Sequence, residues 1–441
     1  MEKARASERP YYRRAWFWAV MPVAFIAISL VIAGLVAGNR LERQMAEIRL
    51  AGLPIGFADL DEFYVLPEGT ADTTTLWIEA INVAAAIRLD DTTRTLPFIG
   101  EGDLPRANED WDQIELAQQF LKTHEAALRI IHQAADAGGA ARFPVQLSAG
   151  PNAVLSSAFE SRQVARLLQL EAAVFARTNR HDRALKSTLA IHAVSSALQA
   201  EPVLLTHLMR IAISAMASNQ AVELAQQGHW NDSQLAQLQR AADIDFLKEL
   251  KRALCTERAF SVSIVQSAGL GPLGRSNAST YLQLSKPVID ATDQGWDQTI
   301  AAAAEQAAEI RRLSTNRSMS RWFNLSASML IPGANEAVST VARNVAMQRA
   351  AILALAAIRY QKARQVPPTT IAELTSLIPE LANAGDVSID PFTNQPFRLR
   401  WDDSQLTIYS LGPNQTDDQG SVQMKEAPIV PLDIGYSILC P

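Results

Sequence analysis

Cysteine and histidine are scarce in this chain of 441 residues, which contains two cysteines and six histidines. The histidines lack the spacing of a metal site, and His124-Glu125 is not followed by the second histidine that an H-E-x-x-H motif requires. The chain also has no G-x-S-x-G elbow, Walker loop or C-x-x-C pair. These absences leave no recognisable catalytic motif, so the sequence predicts no particular reaction.

Basic residues are too few for a nucleic-acid-binding surface. The formal net charge is −6, and the first 14 residues carry +3 of their own, which leaves −9 for the rest of the chain. An acidic body disfavours binding to a phosphate backbone, which requires clustered cations. We therefore expect no nucleic-acid partner.

The two cysteines, Cys255 and Cys440, lie far apart in the sequence. If the body of the protein is outside the cytoplasm, they could form one disulfide. The alternative is a buried helical thiol at Cys255 and a separate thiol in the C-terminal tail. The sequence does not decide between these two interpretations.

One long apolar run stands out near the N-terminus. Ala15 to Gly38 contains no charged residue, and at a rise of about 1.5 Å per residue a helix of this length crosses a hydrocarbon layer of roughly 30 Å. Trp16 and Trp18 suit a membrane interface. The apolar core of a cleaved signal peptide is shorter, about 7 to 15 residues. We therefore predict a retained transmembrane helix over residues 15–38.

The charges that flank this segment predict its orientation. Five basic residues precede it, whereas three follow it: Arg40, Arg43 and Arg49. By the positive-inside rule, residues 1–14 form a cytoplasmic tail. The predicted location is the bacterial inner (cytoplasmic) membrane, with a single span and a periplasmic or extracytoplasmic body.

The sequence after this segment predicts a mainly α fold. Residues 39–71 are predicted to be a linker whose aromatic residues dock on the body, and residues 72–365 a helical body, either an α-solenoid or an irregular bundle. One pair of helices around the turn NRHD resembles a tetratricopeptide hairpin. Residues 366–441 combine a short helix with β-forming stretches, which predicts a small α+β element.

The order of these segments resembles an uncharacterised family of single-pass bacterial membrane proteins. The likeness spans nearly the whole chain, and its matching stretches are the anchor, LPIGFADLDEFYVLPEG, RFPVQLSAG, the block from RQVARLLQLEAAVFA to LLTHLMRIAI, AAIRYQKARQVPPTTIAEL, DPFTNQPFRLR and IYSLGPNQTDDQG. The resemblance implies a helical extracytoplasmic body and supplies no activity or catalytic residue.

The last part of the chain also resembles the end of the major pseudopilin of type II secretion. The features that carry this likeness are Arg359-Tyr360 near a helix end, a Pro-x-Thr helix start, Asp390-Pro391, and Tyr409-Ser410-Leu411-Gly412 before an acidic loop. In pseudopilins this element directly follows the membrane helix, whereas here a helical body intervenes. Pilus assembly is therefore not implied.

The acidic loop is a candidate calcium site. In pseudopilins the corresponding loop binds calcium, so the resemblance implies Asp417 and Asp418 as ligands, with Asn414 as a further oxygen donor. The oxygen-rich stretch PNQTDDQG suits calcium chemically. Its spacing is not that of an EF-hand, and Asn, Asp and Gly are also ordinary turn formers. A plain turn and a calcium-stabilised loop both remain open.

These observations predict a binding protein more readily than an enzyme. Stacked helix pairs create extended grooves, and no convergent nucleophile, base or metal cluster can be read from the sequence. We expect the lipid bilayer, through the N-terminal helix, and a protein or envelope component as partners, with a scaffold role. The alternatives are a hydrolase whose carboxylates are brought together by folding and a secretion-apparatus component with a calcium-stabilised loop.

Overall fold

The computed structural model describes residues 15–105, 109–227, 230–268, 271–315, 333–377, 385–402, 404–422 and 433–439. Helices make up most of this part of the chain, and a three-stranded antiparallel sheet lies near the C-terminus. The prediction of a mainly helical fold with a small C-terminal β element is therefore confirmed. Cys440 lies outside the described residues, and Cys255 is a buried free thiol in a helix.

The N-terminal helix α1 spans Ala15–Leu50 without interruption. It contains the whole segment that the sequence predicts to cross a membrane and continues into the first part of the predicted linker. Many side chains of this segment lie outside the described residues. Of those that are described, the large apolar side chains of Trp18, Val20, Met21 and Phe25 are exposed.

The rest of the predicted linker is short and closely docked. Helix α2, Phe57–Phe63, follows α1 after a brief turn. The Phe57 ring meets the Phe260 ring edge-on with centroids 5.3 Å apart, and Tyr64 is completely buried. The aromatic residues of this segment therefore fix it to the body, in agreement with the sequence analysis.

The first half of the body consists of helices α3 to α7. Their bounds are Thr74–Ala85, Ile114–Thr123, Glu125–Ala137, Ser156–Arg177 and His181–Ala197. The sequence predicts one helix from Trp111 to Gly139, but the backbone leaves helical geometry at His124 and separates α4 from α5. This expectation of a single helix is wrong, because periodicity alone does not register a break at one residue. Helices α6 and α7 form the predicted hairpin.

Helices α8 to α12 follow with bounds Leu204–Ala225, Asp232–Ala242, Phe246–Ser267, Gly271–Ala291 and Trp296–Thr315. Local capping explains two of these starts. Asn231 and Gln234 exchange side-chain and backbone hydrogen bonds of 2.9 Å at the start of α9, and Asp245 accepts from the Leu247 N–H at 3.0 Å at the start of α10.

Helix α13, Gly333–Arg364, is the central helix of the second half. Alanines 350, 351, 354, 356 and 357 are fully buried, and their small side chains allow α8, α9 and α12 to pack closely against this helix. By length and composition, Ala334–Arg364 is also apolar enough to span a membrane. Because 78% of its most apolar window is buried in the protein, it has the character of a core helix.

The C-terminal sheet packs directly on α13. Its strands β1, β2 and β3 span Arg398–Asp402, Gln405–Ser410 and Ile434–Leu439, in the order β1-β2-β3. Leu406, Ile408 and Ile438 are fully buried, in the same core as the α13 alanines. The short helix α14, Ile371–Leu377, begins with Thr370 and Glu373 in a capping arrangement, in which the Glu373 N–H donates to Thr370. Strand β3 was not expected from the sequence.

The described body thus has two large hydrophobic cores. One joins helices α3 to α7 with part of α8, and the other joins α8 to α13 with the sheet. Each core borders one of the two cavities described below.

Candidate functional site

A groove lies between the pair α4–α5 and the hairpin α6–α7. It encloses a cavity of about 530 Å³. Its floor is apolar and consists of Leu121, Leu128, Val174 and Phe175. The first three belong to the core of the first half, and Phe175 packs against the core of the second half. A cavity of this size with an apolar floor is typical of ligand-binding sites.

Four cationic side chains surround this floor: Lys122, Arg129, Arg180 and Arg183. All four are exposed, and none of them forms an ion pair within the part of the chain that the structure describes. Unpaired cations on an otherwise acidic protein favour an anionic ligand. We refer to this site, with its floor and its four cations, as the cationic groove.

Two of the arginines are held in place by an aromatic ring. The guanidinium carbons of Arg180 and Arg183 lie 5.4 Å and 5.5 Å from the centre of the Phe175 ring. Cation–π contacts at these distances restrict both side chains without neutralising their charge. The groove is therefore partly organised before a ligand arrives.

A histidine and a glutamate form the inner wall of the groove. His132 Nε2 lies 2.7 Å from Glu171 Oε2, and the same oxygen accepts a hydrogen bond of 2.7 Å from the Ser187 hydroxyl. Glu171 and Ser187 are buried. This carboxylate fixes the imidazole and joins α5, α6 and α7 in one polar contact.

The arrangement does not provide a general base for a ligand in the groove. His132 Nδ1 is enclosed and has no hydrogen-bond partner among the described residues, so a ligand in the groove cannot reach this nitrogen. The Ser187 hydroxyl has two acceptors for its one proton, Glu171 at 2.7 Å and the Arg183 carbonyl at 2.9 Å, so this proton is already engaged. Base catalysis requires a nitrogen within reach of the reacting proton, and His132 does not offer one. The pair therefore shapes the groove.

A second cavity, of about 380 Å³, lies where the helices meet the C-terminal element. Its lining includes four aspartates, Asp243, Asp245, Asp297 and Asp390, and one arginine, Arg349. We refer to it as the junction cavity. It is acidic, whereas the cationic groove is basic.

Two of these aspartates serve the fold. Asp245 caps α10, and Asp390 accepts hydrogen bonds from the Phe392 N–H at 3.0 Å, the Thr393 hydroxyl at 3.0 Å, the Ser410 hydroxyl at 2.7 Å and the Leu411 N–H at 3.2 Å. Burial raises the pKa of Asp243, Arg349 lowers it, and the neighbouring Asp245 raises it further. The aspartate of the Asp390-Pro391 pair therefore has a structural role, because its carboxylate connects this turn to the end of β2.

A third polar cluster is buried where α7 gives way to α8. Arg210 contacts Glu249 and donates from Nε to the Ser195 carbonyl at 3.0 Å. Burial lowers the pKa of Arg210 to about 9 and that of His207 to about 3. The space between these groups is very small, so this cluster joins helices and does not form a ligand site.

The predicted calcium ligands lie together in the loop after β2, but they are already engaged with one another. The Asn414 side-chain N–H donates to Asp418 Oδ2 at 2.9 Å, and Asp417 Oδ1 accepts from the Tyr409 hydroxyl at 3.1 Å and from the Gln419 N–H at 2.9 Å. An amide hydrogen thus points at the carboxylate that a cation would use. In this arrangement hydrogen bonds occupy oxygens that a calcium ion would need.

The described residues also contain no group of three or more His, Cys, Asp or Glu side chains that could hold a metal ion. A further carboxylate, that of Asp433, closes the loop by accepting from the Gly420 N–H at 2.8 Å and the Ser421 N–H at 3.2 Å. The loop is therefore held by its own hydrogen bonds. Calcium binding there stays a prediction.

Two aspartates near the start of the body, Asp59 and Asp61, have structural roles. Asp59 accepts from the Ile55 and Gly56 N–H groups, at 2.9 Å and 3.1 Å, at the start of α2. Asp61 accepts from the Ser148 N–H at 3.1 Å and from its hydroxyl, and these bonds hold the pKa of Asp61 below its usual value. The two carboxylates therefore bond to different neighbours and form no acid–base pair.

The sequence contains a signal for the cationic groove that the motif search does not register. Gln118, Lys122, Glu125, Arg129 and His132 recur at steps of four and three, which is the spacing of one helical face. A polar stripe of this kind usually indicates a solvated face. Only the folded chain brings Arg180 and Arg183 of the α6–α7 hairpin opposite it.

Comparison of the chain with protein-family models, with curated proteins and with solved structures gives no match. The site is therefore interpreted from its own geometry.

Proposed function

We propose that this protein is a membrane-anchored binding protein whose cationic groove captures an acidic segment of a partner protein. The observation that carries this proposal is a set of four exposed cations above an apolar floor, none of which forms an ion pair with another described residue. An acidic segment with apolar side chains complements both features, because its carboxylates pair with the rim while its apolar side chains cover the floor.

Membrane anchoring is the second part of the proposal. The uncharged run from Ala15 to Gly38 lies within one helix, and Trp18, Val20, Met21, Phe25 and Val36 expose large apolar surfaces to the surroundings. Such surfaces on one helix are costly in water and favourable in hydrocarbon. The flanking charges favour a body outside the cytoplasm.

The groove is tested with the full chain in detergent micelles and a fluorescent peptide of leucine and glutamate. A matched peptide carries glutamine in place of every glutamate. We expect the acidic peptide to bind about tenfold more tightly, since several exposed ion pairs form together. The triple variant Arg129→Gln, Arg180→Gln, Arg183→Gln should abolish this preference.

The control is a triple variant with the same change in net charge, Arg88→Gln, Arg94→Gln, Arg240→Gln, whose residues are exposed and lie away from the groove. It should bind the acidic peptide like the unmodified chain. If the unmodified chain binds the two peptides with equal affinity, or if both triple variants lose the same affinity for the acidic peptide, the groove is not an acidic-peptide site.

Anchoring is tested separately. A reporter fused to the C-terminus should be active outside the cytoplasm, and the chain should stay in the membrane during a high-pH carbonate wash. Release by the wash, or a cytoplasmic reporter, would contradict the anchor without bearing on the groove.

A hydrolase is the second candidate, since Asp243 and Asp297 line one cavity and the pKa of Asp243 is raised by burial. Substrate turnover by the purified protein that is lost in both Asp243→Asn and Asp297→Asn would favour this reading. Turnover unaffected by either change would remove its structural basis.

A further inference from the structure

The body packs on α1 within one turn of the end of the uncharged run. Gly38 is buried, and a side chain at this position would lie 3.4 Å from the guanidinium of Arg275 in α11. Leu41 is buried in a cluster with Val262 and Tyr281. The body therefore starts at the level where α1 leaves the predicted span.

Helix α11 runs in the same direction as α1. Gly38 lies beside Arg275, and further along both helices Gln44 exchanges hydrogen bonds with Ser279: the Ser279 hydroxyl donates to Gln44 Oε1 at 2.8 Å. The start of α11 is therefore next to the end of the uncharged run. If α1 crosses a bilayer, this end of the body lies at the bilayer surface.

Three arginines occupy this level: Arg40 and Arg43 on α1 and Arg275 on α11. All three are exposed, and none takes part in an ion pair among the described residues. At about 1.5 Å per residue, Arg40 and Arg43 lie only about 3 Å and 8 Å beyond Gly38 along the helix axis. We refer to these three residues as the basic collar.

The direction of the helices aims these side chains at the bilayer. In an α-helix the Cα–Cβ bonds tilt toward the N-terminus. Because α1 and α11 both run away from the predicted span, all three arginine side chains lean back toward it. Long basic side chains in such positions reach the headgroup layer with their charged ends.

We propose that the basic collar binds the phosphate groups of anionic phospholipids in the leaflet that faces the body. The guanidinium group matches phosphate in shape and charge and holds it with paired hydrogen bonds. An overall acidic body would otherwise be repelled by an anionic membrane surface, so the collar provides local attraction where the body meets it. This inference rests on the membrane anchor of the proposed function and is independent of the groove.

The test uses the full chain in nanodiscs made from a mixture of phosphatidylcholine and phosphatidylglycerol. After mild detergent extraction, native mass spectrometry counts the lipids that remain bound to the protein. We expect phosphatidylglycerol to be retained in preference to phosphatidylcholine. The triple variant Arg40→Gln, Arg43→Gln, Arg275→Gln should lower this preference by up to about a hundredfold, since each cation near a membrane surface contributes about fivefold.

The groove variant Arg129→Gln, Arg180→Gln, Arg183→Gln removes the same charge from a different place and should keep the preference for phosphatidylglycerol. Thermal unfolding of both variants shows that their bodies remain folded. Absence of any preference, or an equal loss in the two variants, would overturn the collar. If the chain enters the nanodiscs but does not prefer phosphatidylglycerol, lipid binding by the basic collar is refuted and the membrane anchor is not. If the chain does not enter the nanodiscs, the membrane anchor is refuted as well.

Discussion

The cationic groove and the junction cavity differ in how their charges are used. In the groove the four cations point to solvent and are unpaired within the described residues, and the charge that serves the fold is the single buried carboxylate of Glu171. In the junction cavity Asp245 and Asp390 are bound to backbone and hydroxyl groups. Charged side chains without a partner in the fold indicate a ligand site more strongly than charged side chains that already have one. The cationic groove is therefore a stronger candidate than the junction cavity.

The two halves also respond differently to acid. Helix α7, which carries Arg183 of the groove, buries His192, whose pKa is lowered to about 4 by burial. In the junction cavity burial raises the pKa of Asp243. Protonation of His192 at low pH therefore destabilises the first half, whereas protonation of Asp243 relieves the repulsion between carboxylates in the second. The following three experiments test whether the two halves differ in this way and behave as separate regions.

Replacement of Asp390 should have the largest effect. Asp390→Ala leaves two N–H groups and two hydroxyls of the junction without their acceptor, and we expect the free energy of unfolding to fall by about 4 kcal/mol. Urea unfolding followed by circular dichroism measures this change. The groove belongs to the other core, so the folded variant should still prefer the acidic peptide.

Asp402→Ala is the matched control for that variant, because Asp402 is exposed at the end of β1 and lies 3.9 Å from Arg400. Its effect should stay below about 0.5 kcal/mol. A similar loss in the two variants, or a groove that fails in Asp390→Ala, would mean that the two halves do not behave as separate regions.

His192 should make stability depend on pH. A buried histidine with a lowered pKa binds fewer protons in the folded state than in the unfolded state, so stability is full above pH 6.5 and is lost as the pH falls toward about 4. The expected loss from this residue is about 3 kcal/mol at pH 4. His192→Leu should remove this part of the slope, as measured by chemical unfolding across the pH range.

A variant with an unchanged slope between pH 6.5 and 4 would contradict this account of His192. His207, whose pKa is also lowered by burial, acts in the same direction, so part of the acid sensitivity should persist in His192→Leu.

Asp243→Asn should have the smallest effect and the opposite dependence on pH. A carboxyl whose folded-state pKa is raised costs stability as the pH rises through that value, so the amide should stabilise the protein slightly at neutral pH and not below pH 3.8. Because the Asp243 side chain is only partly shielded from solvent, we expect the free energy of unfolding to rise by at most about 0.5 kcal/mol. If Asp243→Asn instead lowers the free energy of unfolding at neutral pH, the carboxylate has a favourable partner in the folded protein.

The sequence predicts the parts of this fold that depend on local patterns. The α6–α7 hairpin follows from apolar periodicity and from the NRHD turn, and the turn at Asp390 follows from an Asp-Pro pair. Strand β3 was missed, because residues 411–433 separate it from β2 and the two strands are not joined by a short hairpin turn. The break at His124 was missed because both flanking helices keep the same apolar spacing.

The candidate site was less predictable than the fold. Lys122 and Arg129 lie on one helix pair, and Arg180 and Arg183 belong to another, so no sequence motif contains all four. The partner of His132 is Glu171, 39 residues away. Only packing of the two pairs creates the groove, and packing over such separations is not encoded in local spacing.

The uninterrupted course of α1 has a consequence for how this protein would meet a partner. A flexible linker would let the body tilt freely, whereas a continuous helix that packs against α11 from Gly38 onward fixes the orientation of the body relative to α1. With α1 in a bilayer, rotation of the molecule about the axis of α1 would leave the groove at a constant distance from the lipid surface. Ligands presented at that distance would be met often, and those closer to the surface or farther from it rarely.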